Sequence, residues 1–315
     1  MPRSIPFSKA QAHGNDFLLV EARLIPARHA GALARAICNR HFGVGADGLI
    51  LAKPAGRASV VHREPSDRGF RPRPSARAAR VAIRIINADG SEAESSGNGV
   101  RCAAAWFLDR QQRVAKTLFV LTKAGVRKVE LLERGGRRFL FRTEMGKPIF
   151  APERIPFAPS RSPRRAGQAA EPILDFAIPV GDEVVHATVL STGNPHCVLF
   201  LDDFEMIDWM ALGHELESHP FFPQRTNVEF VKVKSPTEIE VRFYERGVGK
   251  TLSSGTGSCA AAVASHLARG TEREVAVHTL GGILQVRWRE DGMLEQVAQA
   301  ELVANGRFFW DHREP

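Results

Sequence analysis

Ser96-Gly97-Asn98-Gly99-Val100-Arg101-Cys102-Ala103-Ala104-Ala105 and Ser254-Gly255-Thr256-Gly257-Ser258-Cys259-Ala260-Ala261-Ala262 are two versions of one phrase, set half a chain length apart. Each reads as a serine, a glycine-flanked turn and the opening of an alanine-rich helix. One such turn alone is most simply a helix cap, because serine is a preferred capping residue. Two copies at that spacing, both amid polar residues, predict a duplicated unit with pseudo-twofold symmetry. A helix N-terminus carries unpaired backbone N–H groups and a partial positive charge, and glycine lets the backbone approach a bound anion. Two termini facing each other would grip a carboxylate and set one side chain on either side of the same carbon. That arrangement removes a proton from one face and returns it to the other.

The rest of the chain reads in the same two halves. In the first, IPFSKAQA and FLLVEA are strands about the turn His13–Asp16, and Ala30–Asn39 has helical spacing. HFGVGADGLILAK is a glycine-punctuated loop feeding a strand; VAIRIINADG is a strand, CAAAWFLDR a helix, and TLFVLTKAGVRKVELLERGGRRFLFRTEMG a set of antiparallel strands. In the second, ATVLST, CVLFLDD, NVEFVKV and EIEVRFYER are strands, followed by the helix CAAAVASHLARG and the strands EVAVHTL and ILQVRW. A Pro/Arg-rich passage from about Pro148 to Pro172 reads as a linker or long loop between the halves.

Composition narrows the class. At 315 residues and 43% hydrophobic content, the chain holds two ordinary domains. No apolar run reaches the about 18 residues of a membrane span, and the N-terminal stretch has no signal-peptide pattern, so a cytoplasmic protein is expected. The net charge of +8 suggests nucleic acid, but nine basic residues from Lys53 to Arg84 face only Glu64 and Asp67, which accounts for nearly all of it. That segment, rich in Arg, Pro and Ser, reads as a flexible insert over about 54–80 rather than a binding face, so no nucleic-acid partner is expected. Cys38, Cys102, Cys197 and Cys259 have neither C-x-x-C nor zinc spacing and read as buried free thiols.

Polar motifs surround the two turns: GNDF (14–17), RHFGVGADG (40–48), NADGSEAE (87–94), GNPH (193–196), TNVEFV (226–231) and YERGVG (244–249). Taken in this order with SGNGVRC (96–102) and SGTGSCAAA (254–262), the chain resembles diaminopimelate epimerase over nearly its full length, the basic insert excepted. The resemblance implies an α/β (α+β) fold of two similar pseudo-symmetric domains, each a barrel-like, mainly antiparallel sheet around a central helix. The domains would be 1–141 with 300–315, and 142–299, with the site in the cleft between them. It implies a homodimer that interconverts LL- and meso-2,6-diaminoheptanedioate, a small amino-acid substrate, with no cofactor and no metal. Asn15, Asn87, Asn194 and Asn227, with Glu245 and Arg246, would hold the distal end of the substrate. The backbone of Gly97, Asn98, Gly255 and Thr256 would hold the reacting carboxylate, and His196 and Glu245 would flank the acid/base pair. Turn-prone asparagines, a surface or satisfied core histidine and an exposed ion pair are the plain alternatives for these residues.

In the family the acid and base are cysteines immediately before the two turns; here they are Ser96 and Ser254. Three accounts follow. The serines relay protons for His196 and Glu245; the protein is a related racemase or dehydratase acting on another amino or imino acid; or the site binds without catalysing. The polar residue set favours diaminopimelate over a proline-like substrate, whose pocket would be apolar.

Overall fold

Gly14 turns the chain between its first two strands with φ 82°, a backbone state that glycine adopts without penalty, and His13 beside it has φ 52°. This hairpin, β1 (Arg3–Ala12) and β2 (Asn15–Glu21), begins a computed structural model that describes residues 3–55, 79–93, 96–111, 115–159 and 171–311. The chain divides into two compact units, Met1–Thr143 with Ala298–Pro315, and Glu144–Val297.

In the first unit, helix α1 (Ala30–Ile37) carries the chain from β2 to β3 (Gly48–Pro54), which pairs parallel to β2. Leu33, Ala34 and Ile37 on α1 are buried with Leu18 and Leu49 in one cluster. β4 (Ala79–Asn87) returns antiparallel to β3, and the short β5 (Glu92–Ala93) leans on its end. Next come helix α2 (Gly97–Asp109), β6 (Thr117–Thr122) parallel to β4, and the antiparallel pair β7 (Gly125–Gly135) and β8 (Arg138–Gly146). The last strand of the chain, Leu294–Trp310, pairs with both β8 and β1 and closes the ring through eight strands. Every residue of α2 from Gly97 to Leu108 is buried inside that ring, packed on β1 to β4, β6 and β7. Ala103, Ala104 and Ala105 keep it thin enough to fit, and Trp106, Phe107 and Leu108 each contribute about 1.5–3 kcal/mol by leaving water.

The second unit repeats these events. β9 (Ile173–Val180) and β10 (Glu183–Ser191) form a hairpin, and β10 pairs with β11 (Pro195–Phe200). Helix α3 (Trp209–Glu217) crosses to β12 (Asn227–Ser235), parallel to β11, as α1 crosses to β3. β13 (Glu238–Glu245) returns antiparallel and carries the short β14 (Gly249–Thr251), as β4 carries β5. Helix α4 (Gly255–Arg269) lies against β9 to β13, followed by β15 (Glu274–Thr279) parallel to β13, β16 (Gly282–Trp288), and the first residues of β17, the Leu294–Trp310 strand. The duplication read from two short phrases is therefore a duplication of topology, with two parallel crossovers at matching places in each mainly antiparallel sheet. No helix among the described residues is long and apolar enough to cross a membrane.

Five elements lay outside the sequence reading: the short β5 and β14, and β9, α3 and β17. The passage expected to be a linker over 148–172 is partly core. Ile149 bridges to Ser191, and Ile155 and Phe157 are buried beside Ile173 and Phe222, because the IPFAP segment offers two large apolar side chains among its prolines. Of the basic insert, residues 56–78 lie outside the described residues. Its ends are ladder neighbours, with Pro54 opposite Val81 and the Ala55 amide donating to Arg80 at 3.0 Å.

Candidate active site

Ser96 and Ser254 hold the same position in the two units, the N-cap of the central helix. Both have extended backbone, φ −149° at Ser96 and −122° at Ser254. Ser96 Oγ accepts from the Gly99 amide at 3.0 Å, and Ser254 Oγ from the Gly257 amide at 3.2 Å. Each hydroxyl satisfies the third amide of its helix, and the first-turn amides of Gly97–Asn98 and Gly255–Thr256 run ahead of it along the axis. The second glycine of each phrase is there for space. A Cβ at Gly257 would stand 2.6 Å from Glu229 Oε1 and 3.0 Å from the Phe243 ring, and one at Gly99 would meet Ile85 at 3.1 Å. Cys102 and Cys259, one turn further on, are fully buried, and burial pushes the Cys102 thiol up to about 12. That thiol packs; it is not an accessible base.

In the first unit the ends of β2, β3 and β4 bring Asn15 and Asn87 to one rim, with Phe17 opposite Gly48 and Gly48 opposite Asn87. Asn15 Nδ2 donates to Asp47 Oδ2 at 2.7 Å, and Asn87 Nδ2 to Ser91 Oγ at 2.9 Å. Behind Asn15 is a charged lattice that the sequence reading passed over. Arg40 bridges Asp16 and Asp47, both at 2.8 Å, while Lys9 reaches Asp16 at 2.9 Å and donates to Gly45 O. Burial opposes ionisation of Asp16, but the hydrogen bonds and charges of Arg40 and Lys9 outweigh it and hold the carboxyl below its ordinary range. The RHFGVGADG loop is thus tied to the β2 strand that carries Asn15. At the helix start, Asn98 Oδ1 accepts from the buried Arg101.

The second unit gathers more of the expected residues. Parallel pairing of β11 and β12 sets His196 opposite Asn227. His196 is 0% exposed, and both ring nitrogens are engaged: Nδ1 lies 2.7 Å from Glu229 Oε1, and Nε2 lies 3.0 Å from both Thr192 Oγ1 and Asn194 Oδ1. Asn194 Nδ2 reaches Thr256 Oγ1 at 3.4 Å, and Thr192 Oγ1 donates to Thr256 O at 3.3 Å, joining this cluster to the first turn of α4. Gly255 O accepts from the buried Gln296. Asn227 acts as a clamp here. It donates to Pro195 O at 2.8 Å and accepts from the Arg246 amide at 3.1 Å, so both ends of its side chain are held by backbone. Arg246 donates to Gln224 O, and the next amide, Gly247, donates to Glu217 Oε1 at 2.9 Å.

Glu245, at the end of β13, accepts from Thr251 Oγ1 at 2.7 Å. Burial raises its carboxyl above the ordinary range, and the negative charge of Glu229 adds to that. Hydrogen bonds from Thr251 and Ser254 and the nearness of His196 pull the other way. Glu245 therefore lies near the Ser254 hydroxyl at the N-terminus of α4. Glu229, Thr192, Thr251 and Glu217 were missed from sequence. The available signal was a glutamate at position 229 between Val228 and Phe230, a charge at the centre of a strand whose neighbours are all buried.

A serine-capped helix packed against a mainly antiparallel sheet, built twice in one chain, is a fold shared with solved epimerase and racemase structures. The hydroxyproline epimerase of Agrobacterium vitis superposes with a TM-score of 0.64 over 99% of this chain and 93% of its own, at 14% identity. A probable proline racemase of Agrobacterium radiobacter K84 gives 0.65 over 99% and 94%, at 15% identity; both likenesses are of fold. Sequence resolves the class further. The pattern of the diaminopimelate epimerase family matches residues 7–151 and 188–303. The diaminopimelate epimerase of Pelotomaculum thermopropionicum is 40% identical over 96% of this chain and 98% of its own. That of Moorella thermoacetica is 40% identical over 90% and 91%. The chain belongs to the diaminopimelate epimerase family.

Proposed function

We propose that the protein interconverts LL- and meso-2,6-diaminoheptanedioate by moving a proton at one α-carbon, with no cofactor. The observation that carries this reading is the polar set around the α4 N-terminus, the half-buried Asn194, Thr256 and Glu245 gathered about the buried His196, in a chain of this family. A substrate with an amino-acid group at each end needs donors and acceptors beyond the reacting carbon, and an apolar pocket would not supply them. The first-turn amides of α2 and α4, Gly97–Asn98 and Gly255–Thr256, take the reacting carboxylate. Asn15, Asn87 and Asn194 with Arg246 recognise the distal amino-acid end, and Asn227 holds the Arg246 turn in place.

Ser96 and Ser254 are the hydroxyl pair at the reacting carbon. Glu245 is the group behind Ser254: a carboxyl kept above its ordinary range by burial serves as the proton-exchanging group, with the serine hydroxyl as relay. His196, engaged through both nitrogens, orients rather than abstracts. The same reading makes the protein a homodimer of the cytoplasm, which sedimentation of the purified chain tests in its first part.

Incubation with LL-diaminopimelate in deuterated water, followed by chiral separation and mass analysis, reads exchange and inversion together. Deuterium at one α-carbon with formation of the meso isomer is the expected result. Binding by calorimetry with neither exchange nor inversion would support the second reading, a site that retains recognition without turnover, for which the two serines themselves argue.

A further inference from the structure

Glu229 sits where a carboxylate is expensive. It is 0% exposed, it projects from a strand whose Val228, Phe230 and Val231 are also buried, and its Oε2 has no hydrogen-bond partner among the described residues. Gly257 leaves room for it: any side chain there would collide with Oε1. A buried carboxylate with one idle oxygen is weak support for a fold, since apolar replacements of such groups are often neutral or stabilising. What Glu229 does have is one short contact, Oε1 to His196 Nδ1 at 2.7 Å.

That contact decides what the other side of the imidazole offers. A carboxylate only accepts, so it holds a proton on Nδ1 and fixes the ring plane; a carboxylate behind a catalytic histidine does the same in hydrolase triads. Nε2 then faces Thr192 and Asn194, and Thr192 and Asn194 in turn reach Thr256 on the first turn of α4. The chain of contacts runs from a buried strand residue to the amide of Asn194, a group placed above in substrate recognition. We propose that Glu229 is a positioning residue that keeps a proton on His196 Nδ1 and fixes the ring plane, so that Nε2 meets Thr192 Oγ1 and Asn194 Oδ1, and thereby sets the orientation of Asn194 and of the Thr256 turn. The Glu229 charge also helps keep the Glu245 carboxyl raised, alongside the opposing influence of Thr251, His196 and Ser254. One residue thereby touches both recognition and the proton-transfer group, an inference that rests on the function proposed above.

The test uses the full-length protein with 15N-labelled histidine and the variants Glu229→Gln and Glu229→Asp. His196 is assigned by loss of its signals in His196→Asn. In the unaltered protein the His196 ring signals should show Nδ1 protonated, with that proton at low field. In Glu229→Gln the low-field proton should move upfield and the tautomer balance should shift toward Nε2–H, and Glu229→Asp should restore part of the original pattern. In turnover, kcat should fall about 10- to 100-fold, the worth of one charge-assisted hydrogen bond, with a smaller change in KM. The acid limb of the pH profile should move to lower pH, because Glu245 loses a neighbouring negative charge. Nδ1 found unprotonated in the unaltered protein, or identical His196 signals in Glu229→Gln, would overturn the proposal. A protein inactive on diaminopimelate leaves the ring signals to decide the role of Glu229, so the two readings fail separately.

Discussion

Placing sulfur at both helix caps, Ser96→Cys with Ser254→Cys, should accelerate turnover by roughly 10³- to 10⁵-fold. An aliphatic hydroxyl ionises about as reluctantly as water, about 7 units above a free thiol, which ionises near 8.5. The gap of about 7 units corresponds to about 10 kcal/mol between the two anions as bases. Each cap in this structure offers an anion the same help: one amide hydrogen bond, at 3.0 Å from Gly99 or 3.2 Å from Gly257, and the field of the helix. A hydrogen bond to a charged acceptor is worth about 1.5–3 kcal/mol and the helix terminus at most about 2. Together they bring a thiol to neutrality and leave a hydroxyl about 5 units above it. The intrinsically weaker basicity of a thiolate returns part of the gain, which sets the lower end of the range. Exchange of the α-proton of LL-diaminopimelate into deuterated water measures the rate, and each single variant should gain less than the pair, because inversion needs an acid and a base together. A parent protein that already turns over as fast as the double variant would refute the reasoning and make the hydroxyls native participants.

Three further outcomes are expected. Glu245→Gln should lower kcat about 10²- to 10⁴-fold, the usual worth of a general acid or base. Because burial raises its folded carboxyl, the stability tied to protonated Glu245 is present below the ordinary carboxylate range and lost as pH rises through the raised value. The Gln variant should therefore be the more stable protein at neutral pH, with the difference closing in acid, as read by urea unfolding at several pH values. Asp16→Asn has the opposite sign: its folded carboxyl is lowered, so its contribution is present above the ordinary aspartate range and lost as pH falls through the lowered value. That variant should lose about 1–3 kcal/mol at neutral pH and converge with the parent in acid, again by urea unfolding. Gly257→Ala should cost about 1–3 kcal/mol and depress activity, since the new methyl meets the Glu229 carboxylate and the Phe243 ring; thermal unfolding and the exchange assay together check it.

The duplicated phrase and the alternating strands were legible because their residues face only two environments, core and solvent. β17 was not, and its inward positions show why. Leu294, Gln296, Ala298 and Ala300 alternate inward, but next to a central helix a strand needs small residues, and Gln296 is buried to serve the carbonyl of Gly255. Inward no longer means apolar there, so period-two hydrophobicity disappears. α3 buries little beyond Gly213, Leu216 and Glu217, and Glu217 is inside because it holds the Gly247 amide. The site divides along the same line. Motif residues such as Asn194, His196 and Glu245 could be named from sequence, whereas Glu229 and Thr192 emerge only when strands β11 and β12 are aligned in register and the Thr192–Asn194 turn folds back on α4. Sequence identifies residues that carry chemistry; packing identifies those that aim them.

One position in each unit answers to two demands that pull apart. Serine is among the best residues at a helix N-cap, and its replacement costs about 0.5–2 kcal/mol where the cap is formed, as it is at Ser96 and Ser254. Each central helix is enclosed by strands of its own unit, so a weakened first turn has no second element to satisfy its amides. A thiol accepts hydrogen bonds poorly but ionises readily, so cysteine at the same place would loosen the cap and sharpen the base. The serine pair lies at the stable end of that trade. The double cysteine variant should accordingly be both faster and less stable than the parent. A variant that gained rate without losing stability would show that capping and proton transfer are not in competition at these two turns.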